Sequence, residues 1–364
     1  MSQLKVNGIR HTGASSDAVT LATDGTCTVK ATNTLSNRRI TINGAMEVDQ
    51  RNGGSSITPT SDNTYTLDRF KARLSDTSKY SVQKVSEAPS GFNSSLKVTS
   101  AAATTVGTND YYQIDYPIEG YDSSRLDLGL STAKQFTLSF WVKSSLTGTF
   151  GGAYSNNSGN RFYAWTYTIS SANTWEKKSI TITGATDGTW EKTINAGLFI
   201  YWTLGAGSGV QTSAGSWGTT FKRGPSGATN VVATNAATWQ ITGVQLEVGD
   251  VATDFEHRSY GDELARCQRY YQLGEAGGGK IHSGGTTFAV TLPISPSMRT
   301  TPSVDLISGS NALDETWVGD KTISSISVYD ARVDGSGVSG TCTSATGNAF
   351  CTLKSGSVAF IAEL

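Results

Sequence analysis

Apolar and polar residues alternate along most of this 364-residue chain, in short runs parted by turn residues. Alternation at period two puts successive side chains on opposite faces of a strand. In FTLSFWVKSS (136–145), Phe136, Leu138, Phe140 and Val142 share one face and Trp141 takes the other. In RFYAWTYTIS (161–170), Tyr163, Trp165, Tyr167 and Ile169 line up in the same way. Similar runs occur at 65–74, 80–86, 94–100, 111–118, 176–184, 196–205 and 237–249. Nine such strands with no helices between them predict an all-β, antiparallel jelly-roll sandwich.

One segment breaks the pattern. In SYGDELARCQRYY (259–271), Ser259 stands as a cap and Asp262 three residues on, while Leu264, Cys267 and Tyr271 fall at i, i+3 and i+7. A helix of about three turns is marginal alone in water, so its stripe must dock on the sandwich or on copies of itself. GEAGGGK (274–280) follows as a flexible linker, and this position favours a neck between modules, with Leu264, Cys267 and Tyr271 as its contact residues. Runs at 286–295, 302–308, 323–333, 349–355 and 357–364 then predict a smaller β module. The organisation expected is a thin N-terminal attachment segment (1–38), the sandwich (39–258), the short helix (259–273) and a C-terminal β tip (274–364).

Composition narrows the function. Twenty-nine Lys and Arg against 30 Asp and Glu give a formal charge of −1, which offers no general attraction for nucleic acid. No run approaches the roughly 20 apolar residues of a membrane span, and the first 20 residues lack the apolar stretch of a secretory signal. The four cysteines form no CxxC pair and the three histidines are scattered, which argues against a zinc site. Cys342 and Cys351 flank TSATGNAF, read as a hairpin, and are expected as free thiols.

Catalysis finds little support. Glycoside hydrolysis needs two carboxylates about 5 to 9.5 Å apart. Asp115 with Glu119, and Glu247 with Asp250 and Asp254, are near each other in sequence but read as turn or surface acids. GAGSG (205–209) has neither the Lys nor the following helix of a phosphate loop. Aromatic residues beside Gly-, Ser- and Asn-rich stretches are the stronger lead, because an exposed ring stacks on the apolar face of a sugar while neighbouring amides bond its hydroxyls. The carbohydrate-binding candidates are Tyr154, Asn156, Asn157, Tyr163, Trp190 and Trp217, with Trp202 placed beside the same loops. Trp141, Trp165, Trp175 and Trp239 are assigned to the core. No cofactor is called for beyond a structural Ca²⁺, for which Asp68, Asp187, Glu247 and Asp254 are the oxygen donors considered, against a plain surface role.

Several stretches together resemble tail-fibre or receptor-binding proteins of tailed bacteriophages: LKVNGIRHTGASSDAVTLATDGT, RRITINGAMEVDQRNGG, YTLDRFKA, FTLSFWVKSSLTGTFG, NTWEKKSITITG, AGSWG, WQITGVQLEVGDVATDFEHRSYGDELARCQRYYQ and the terminal FIAEL. The resemblance implies a homotrimeric virion protein, joined to other tail proteins through its N-terminus and meeting a host-surface glycan distally. It carries over no catalytic residue. The alternatives are a decoration or connector protein without a sugar site, and a polysaccharide depolymerase. A depolymerase on a parallel β-helix would show repeats of about 20–29 residues, and none is seen.

Overall fold

The computed structural model describes residues 6–13, 17–21, 23, 27–29, 37–307, 312–316 and 318–364. Half of the attachment segment (1–38) lies outside them. Its described part is a three-stranded antiparallel sheet, β1 (Gly8–Ile9), β2 (Val19–Leu21) and β3 (Cys27–Val29).

The sandwich follows as expected. Its strands are β4 (Thr64–Tyr65), β5 (Lys71–Leu74), β6 (Tyr80–Val85), β7 (Ser95–Ser100), β8 (Tyr111–Glu119), β9 (Gln135–Ser144), β10 (Gly148–Ser155), β11 (Phe162–Ile169), β12 (Glu176–Thr183) and β13 (Ala196–Ala206). After these come the two-residue pieces β14 (Gln211–Thr212), β15 (Trp217–Gly218) and β16 (Gly224–Pro225), then β17 (Thr238–Val248). A seven-stranded sheet in the order β15-β11-β10-β13-β8-β5-β4 faces a five-stranded sheet in the order β12-β9-β17-β7-β6. Phe136, Leu138, Phe140 and Val142 are fully buried, as their alternation requires. Phe140 meets Tyr167, Trp202 and Trp165 of the facing sheet at ring separations of 5.3, 6.0 and 6.1 Å. Each such side chain contributes about 1.5–3 kcal/mol through burial, so this aromatic layer is the main adhesive between the sheets.

The helical segment departs from the expectation. After a single turn α1 (Gly120–Ser123), the chain's longer helix is α2 (Tyr260–Gln268). Ser259 caps it, its Oγ accepting from the Asp262 N–H at 3.1 Å. The apolar stripe is covered by the same chain: Cys267 is fully buried with Ile42, Val48 and Tyr270, and Leu264 packs against that cluster. Glu263 fixes the dock, accepting from the Asn43 N–H and the Arg39 guanidinium. The neck assignment is corrected on this point, because Cys267 and Leu264 are spent on a cluster within the same chain, although Tyr260 at the start of α2 is 56% exposed. Tyr271 does not belong to the helix at all. It opens β18 (Tyr271–Leu273), whose partner strand is ninety residues further along.

The remaining strands are β19 (Gly277–Ile281), β20 (Thr287–Pro293), β21 (Ser303–Leu306), β22 (Leu313–Glu315), β23 (Gly319–Lys321), β24 (Ile323–Ala331), β25 (Gly335–Cys342), β26 (Phe350–Leu353) and β27 (Val358–Ile361). They build a seven-stranded sheet, β23-β22-β26-β19-β20-β25-β24, and a three-stranded one, β18-β27-β21. The GGG expected as a linker is strand β19. Gly277 and Gly279 turn inward, where an added Cβ would lie 2.3 Å from Leu292 and 1.9 Å from the Ala289 carbonyl. Cys342 and Cys351 are buried free thiols. They do not face each other across a hairpin, since β25 and β26 are separated by β20 and β19.

This module is clasped to the sandwich by ion pairs. Glu363 accepts from Arg51 at 2.7 Å and from Arg69 at 2.8 Å. Glu119 accepts from Arg269 at 2.7 and 3.1 Å and from the Tyr270 hydroxyl at 2.6 Å.

Candidate functional site

The short edge strand β15 pairs with β11 and places Trp217 opposite Tyr163. The two rings meet at 5.2 Å, and Trp190 comes edge-on to Trp217 at 5.7 Å and 88°. Both indole N–H groups are committed to backbone: Trp217 donates to the Thr183 carbonyl and Trp190 to the Asp187 carbonyl, each at 2.9 Å. This fixes the rings while all three remain half-buried at the sheet edge. Beside them Arg161 grips Asp187 through its Nε and Nη2, while Nη1 donates to the Asn160 carbonyl. That hydrogen bonding holds the Asp187 carboxyl below the usual carboxylate range, so it is a charged acceptor at neutral pH.

Two shallow cavities flank β15. One, of about 360 Å³, is lined by Arg161, Thr183, Asp187, Trp217 and Thr219. The other, of about 370 Å³, lies across Gly218 against Phe162, Thr212, Ser213, Ser216 and Lys222. Aromatic rings bordered by hydroxyls and a charged pair can stack on an amphipathic ring while bonding its rim.

The candidates separate into three groups. Tyr163, Trp190 and Trp217 come together. Asn156 is buried and organises the loop below them: its Nδ2 donates to the Thr189 carbonyl at 2.8 Å, and its Oδ1 accepts from the Asn160 and Arg161 N–H groups at 3.0 Å. Asn157 is exposed in the same turn. Tyr154 and Trp202 are corrected to core positions. Tyr154 alternates inward on β10 and meets Phe136 edge-on at 5.3 Å, while Trp202 is fully buried on β13. Of the four tryptophans assigned to the core, Trp165 and Trp239 are buried, whereas Trp141 and Trp175 are half-buried.

The outer face of the seven-stranded sheet carries a polar layer that was not anticipated. Strand registers place Ala153, Tyr201, Asp115, Lys71 and Tyr65 in one row across β10, β13, β8, β5 and β4. Asp115 is fully buried, with Lys71 at 3.4 Å and Arg73 at 3.5 Å, and its second oxygen lacks a hydrogen-bond partner. Burial raises its carboxyl despite both cations. The signal was in YYQIDYPI, where Gln113 and Asp115 fill the outward positions of an apolar strand. Both faces of β8 are covered.

The acids weighed for catalysis have separate partners. Asp115 is held by Lys71 and Arg73, Glu119 by Arg269 and Tyr270, and Glu247 by Thr253 and Gln245. Among the described residues no three of His, Cys, Asp or Glu converge as a metal site. Of the donors considered for Ca²⁺, Asp68 is bonded to Gln50 and Asp187 to Arg161.

No protein-family model and no curated protein matches the chain. Solved structures align over part of it. The enzymatically active domain of tailspike protein 4 of bacteriophage CBA120 is 12% identical with a TM-score of 0.30, covering 53% of this chain and 21% of that one. A putative sugar binding protein from Bacteroides thetaiotaomicron is 10% identical with a TM-score of 0.33, covering 58% and 100%. The C-terminal family 22 carbohydrate binding module of Clostridium thermocellum Xyn10B is 14% identical with a TM-score of 0.29, covering 56% and 99%. The chain thus spans about a fifth of the tailspike domain.

Proposed function

We propose that this chain is a non-enzymatic glycan-binding adhesin, a tail-fibre or spike component of a tailed phage that meets saccharide on a bacterial surface. The observation that carries the binding reading is the Tyr163–Trp217–Trp190 cluster, pinned at a sheet edge with Trp217 lining a hydroxyl-bearing cavity. The virion role rests on the resemblance of the quoted motifs. The described N-terminal strands agree with an attachment role, since Ile9 is 59% and Leu21 40% exposed. The product would assemble in the host cytoplasm and reside in the virion tail. The homotrimer implied by the resemblance has to be built on surfaces other than the α2 stripe, which is internal. Several copies would turn a weak single site into long residence through effective concentration.

The test is a glycan array followed by calorimetry on the full chain. Trp217→Ala should weaken a saccharide identified on the array at least about tenfold, the equivalent of roughly 1.4 kcal/mol. A variant that kept wild-type affinity for every saccharide bound on the array would remove the proposed site. Release of reducing ends from a host capsule would return the chain to the depolymerase class.

A further inference from the structure

The outward face of the seven-stranded C-terminal sheet carries two exposed aromatic rings on an otherwise polar surface. Phe350 is 65% exposed on the inner strand β26, opposite Lys280 of β19, whose ammonium sits 5.2 Å from the ring centre. Tyr329 is 58% exposed on the edge strand β24. It falls at a register shift between Val328 and Asp330, a bulge of the kind that re-aims a side chain. Its ring lies flat over Gly337 of β25, where an added Cβ would meet it at 2.5 Å. Between the rings the floor is low. Gly278 faces outward with open space above it, and Thr291 and Thr352 stand exposed on the flanking strands. The strands that carry the rings are four spacings apart, about 19 Å across the sheet, with the Tyr329 ring leaning back over β25.

We propose that this face is a second saccharide-binding surface, taking an oligosaccharide laid across β26, β19, β20 and β25 with Phe350 and Tyr329 stacked on its sugar rings. It extends the adhesin reading to a separate module and rests on that reading only for the class of ligand. A protein partner is disfavoured by the surroundings. An interface core needs contiguous apolar area, whereas Phe350 has Lys280 as its cross-strand neighbour and glycine and threonine on the next row. An amphipathic ligand suits alternating rings and hydroxyls, because each ring covers one apolar sugar face and each hydroxyl meets the sugar's polar rim. Among the described residues Lys280 has no carboxylate partner within ion-pair distance, so it is available to a sugar hydroxyl or a uronic-acid carboxylate.

The experiment uses the full chain on an array of neutral and uronate-containing oligosaccharides. Wild type is compared with Phe350→Ala, Tyr329→Ala, Phe350→Trp and Trp217→Ala. Expected is a set of signals that both Phe350→Ala and Tyr329→Ala reduce at least about tenfold, that Phe350→Trp retains and that Trp217→Ala leaves untouched. Melting temperatures at the wild-type value show that these exposed substitutions spare the fold. The proposal is overturned if both tip variants keep the wild-type pattern, if they lose only what Trp217→Ala also loses, or if Phe350→Ala changes the molar mass in light scattering. Loss of signal in Trp217→Ala alone upholds the sandwich site and sinks the tip, and the converse result does the opposite.

Discussion

Removing Glu263 tests whether α2 is an internal strut. Glu263 is 4% exposed and Arg39 is 2% exposed. Arg39 makes a single side-chain hydrogen bond, to Glu263, and its Nε and Nη1 have no partner, although its guanidinium also lies over the Phe255 ring at 4.6 Å. Glu263 further accepts from the Asn43 N–H and sits 3.7 Å from Arg258. Glu263→Ala therefore leaves a buried guanidinium and a buried N–H unpaired, a situation that costs about 3–5 kcal/mol. At about 2–4 °C per kcal/mol for a domain of this size, the sandwich transition should drop by about 6–20 °C. Glu263→Gln retains an acceptor for Asn43 and should fall between the two. The assay is thermal and urea unfolding of the full chain followed by tryptophan fluorescence, with molar mass from light scattering. A loss below about 1 kcal/mol, the level of a solvent-exposed pair, would refute the buried dock. A variant that stayed folded but dissociated would place the helix between subunits instead.

Two further outcomes follow from the buried groups. The Tyr154 hydroxyl is buried without a partner, so Tyr154→Phe should raise stability by about 1 kcal/mol and leave saccharide binding unchanged, both measurable on one preparation. Burial raises the Asp62 carboxyl, but the Arg73 guanidinium and the Leu74 N–H outweigh it and hold the group below its ordinary 3.8. A depressed acid contributes stability that is complete above its unfolded value and lost as the pH falls through its folded one. The stability gap between wild type and Asp62→Asn should thus be constant at neutral pH and close below 3.8, as followed by urea midpoints across an acid series. A gap that widened on acidification would reverse the assignment.

The sandwich was legible because period-two alternation depends only on neighbours in sequence. The burial of Phe136, Leu138, Phe140 and Val142 follows directly. Strand β10 was obscured by its composition. GGAYSNNSGN looks like a loop, yet its first two glycines are a packing requirement: a Cβ at Gly151 would meet Pro225 at 2.2 Å, and one at Gly152 would meet the Tyr201 carbonyl at 1.9 Å. Those contacts come from residues about fifty and seventy positions away, so the local pattern could not distinguish a tight strand from a turn, and Tyr154 was misplaced with it. The same limit hid the helix dock. Ser259 announced the start of α2, but Ile42 and Val48, which cover Cys267, lie more than two hundred residues upstream. At the site, Trp217 was flagged by its glycine neighbours, whereas the meeting of Trp190 with Trp217 depends on loop geometry that no periodicity encodes.

The clasp of Glu363 on Arg51 and Arg69, beside that of Glu263 on Arg39, has a mechanical corollary. Residues 39–51 thread the first segment of the sandwich and touch both α2 and the end of the C-terminal module. In the proposed adhesin, tension between an attached N-terminus and a bound tip would run through these ionic rivets, along a path that bypasses the ten longer sandwich strands. The β-sheets would then hang beside that load as a side arm and keep their shape.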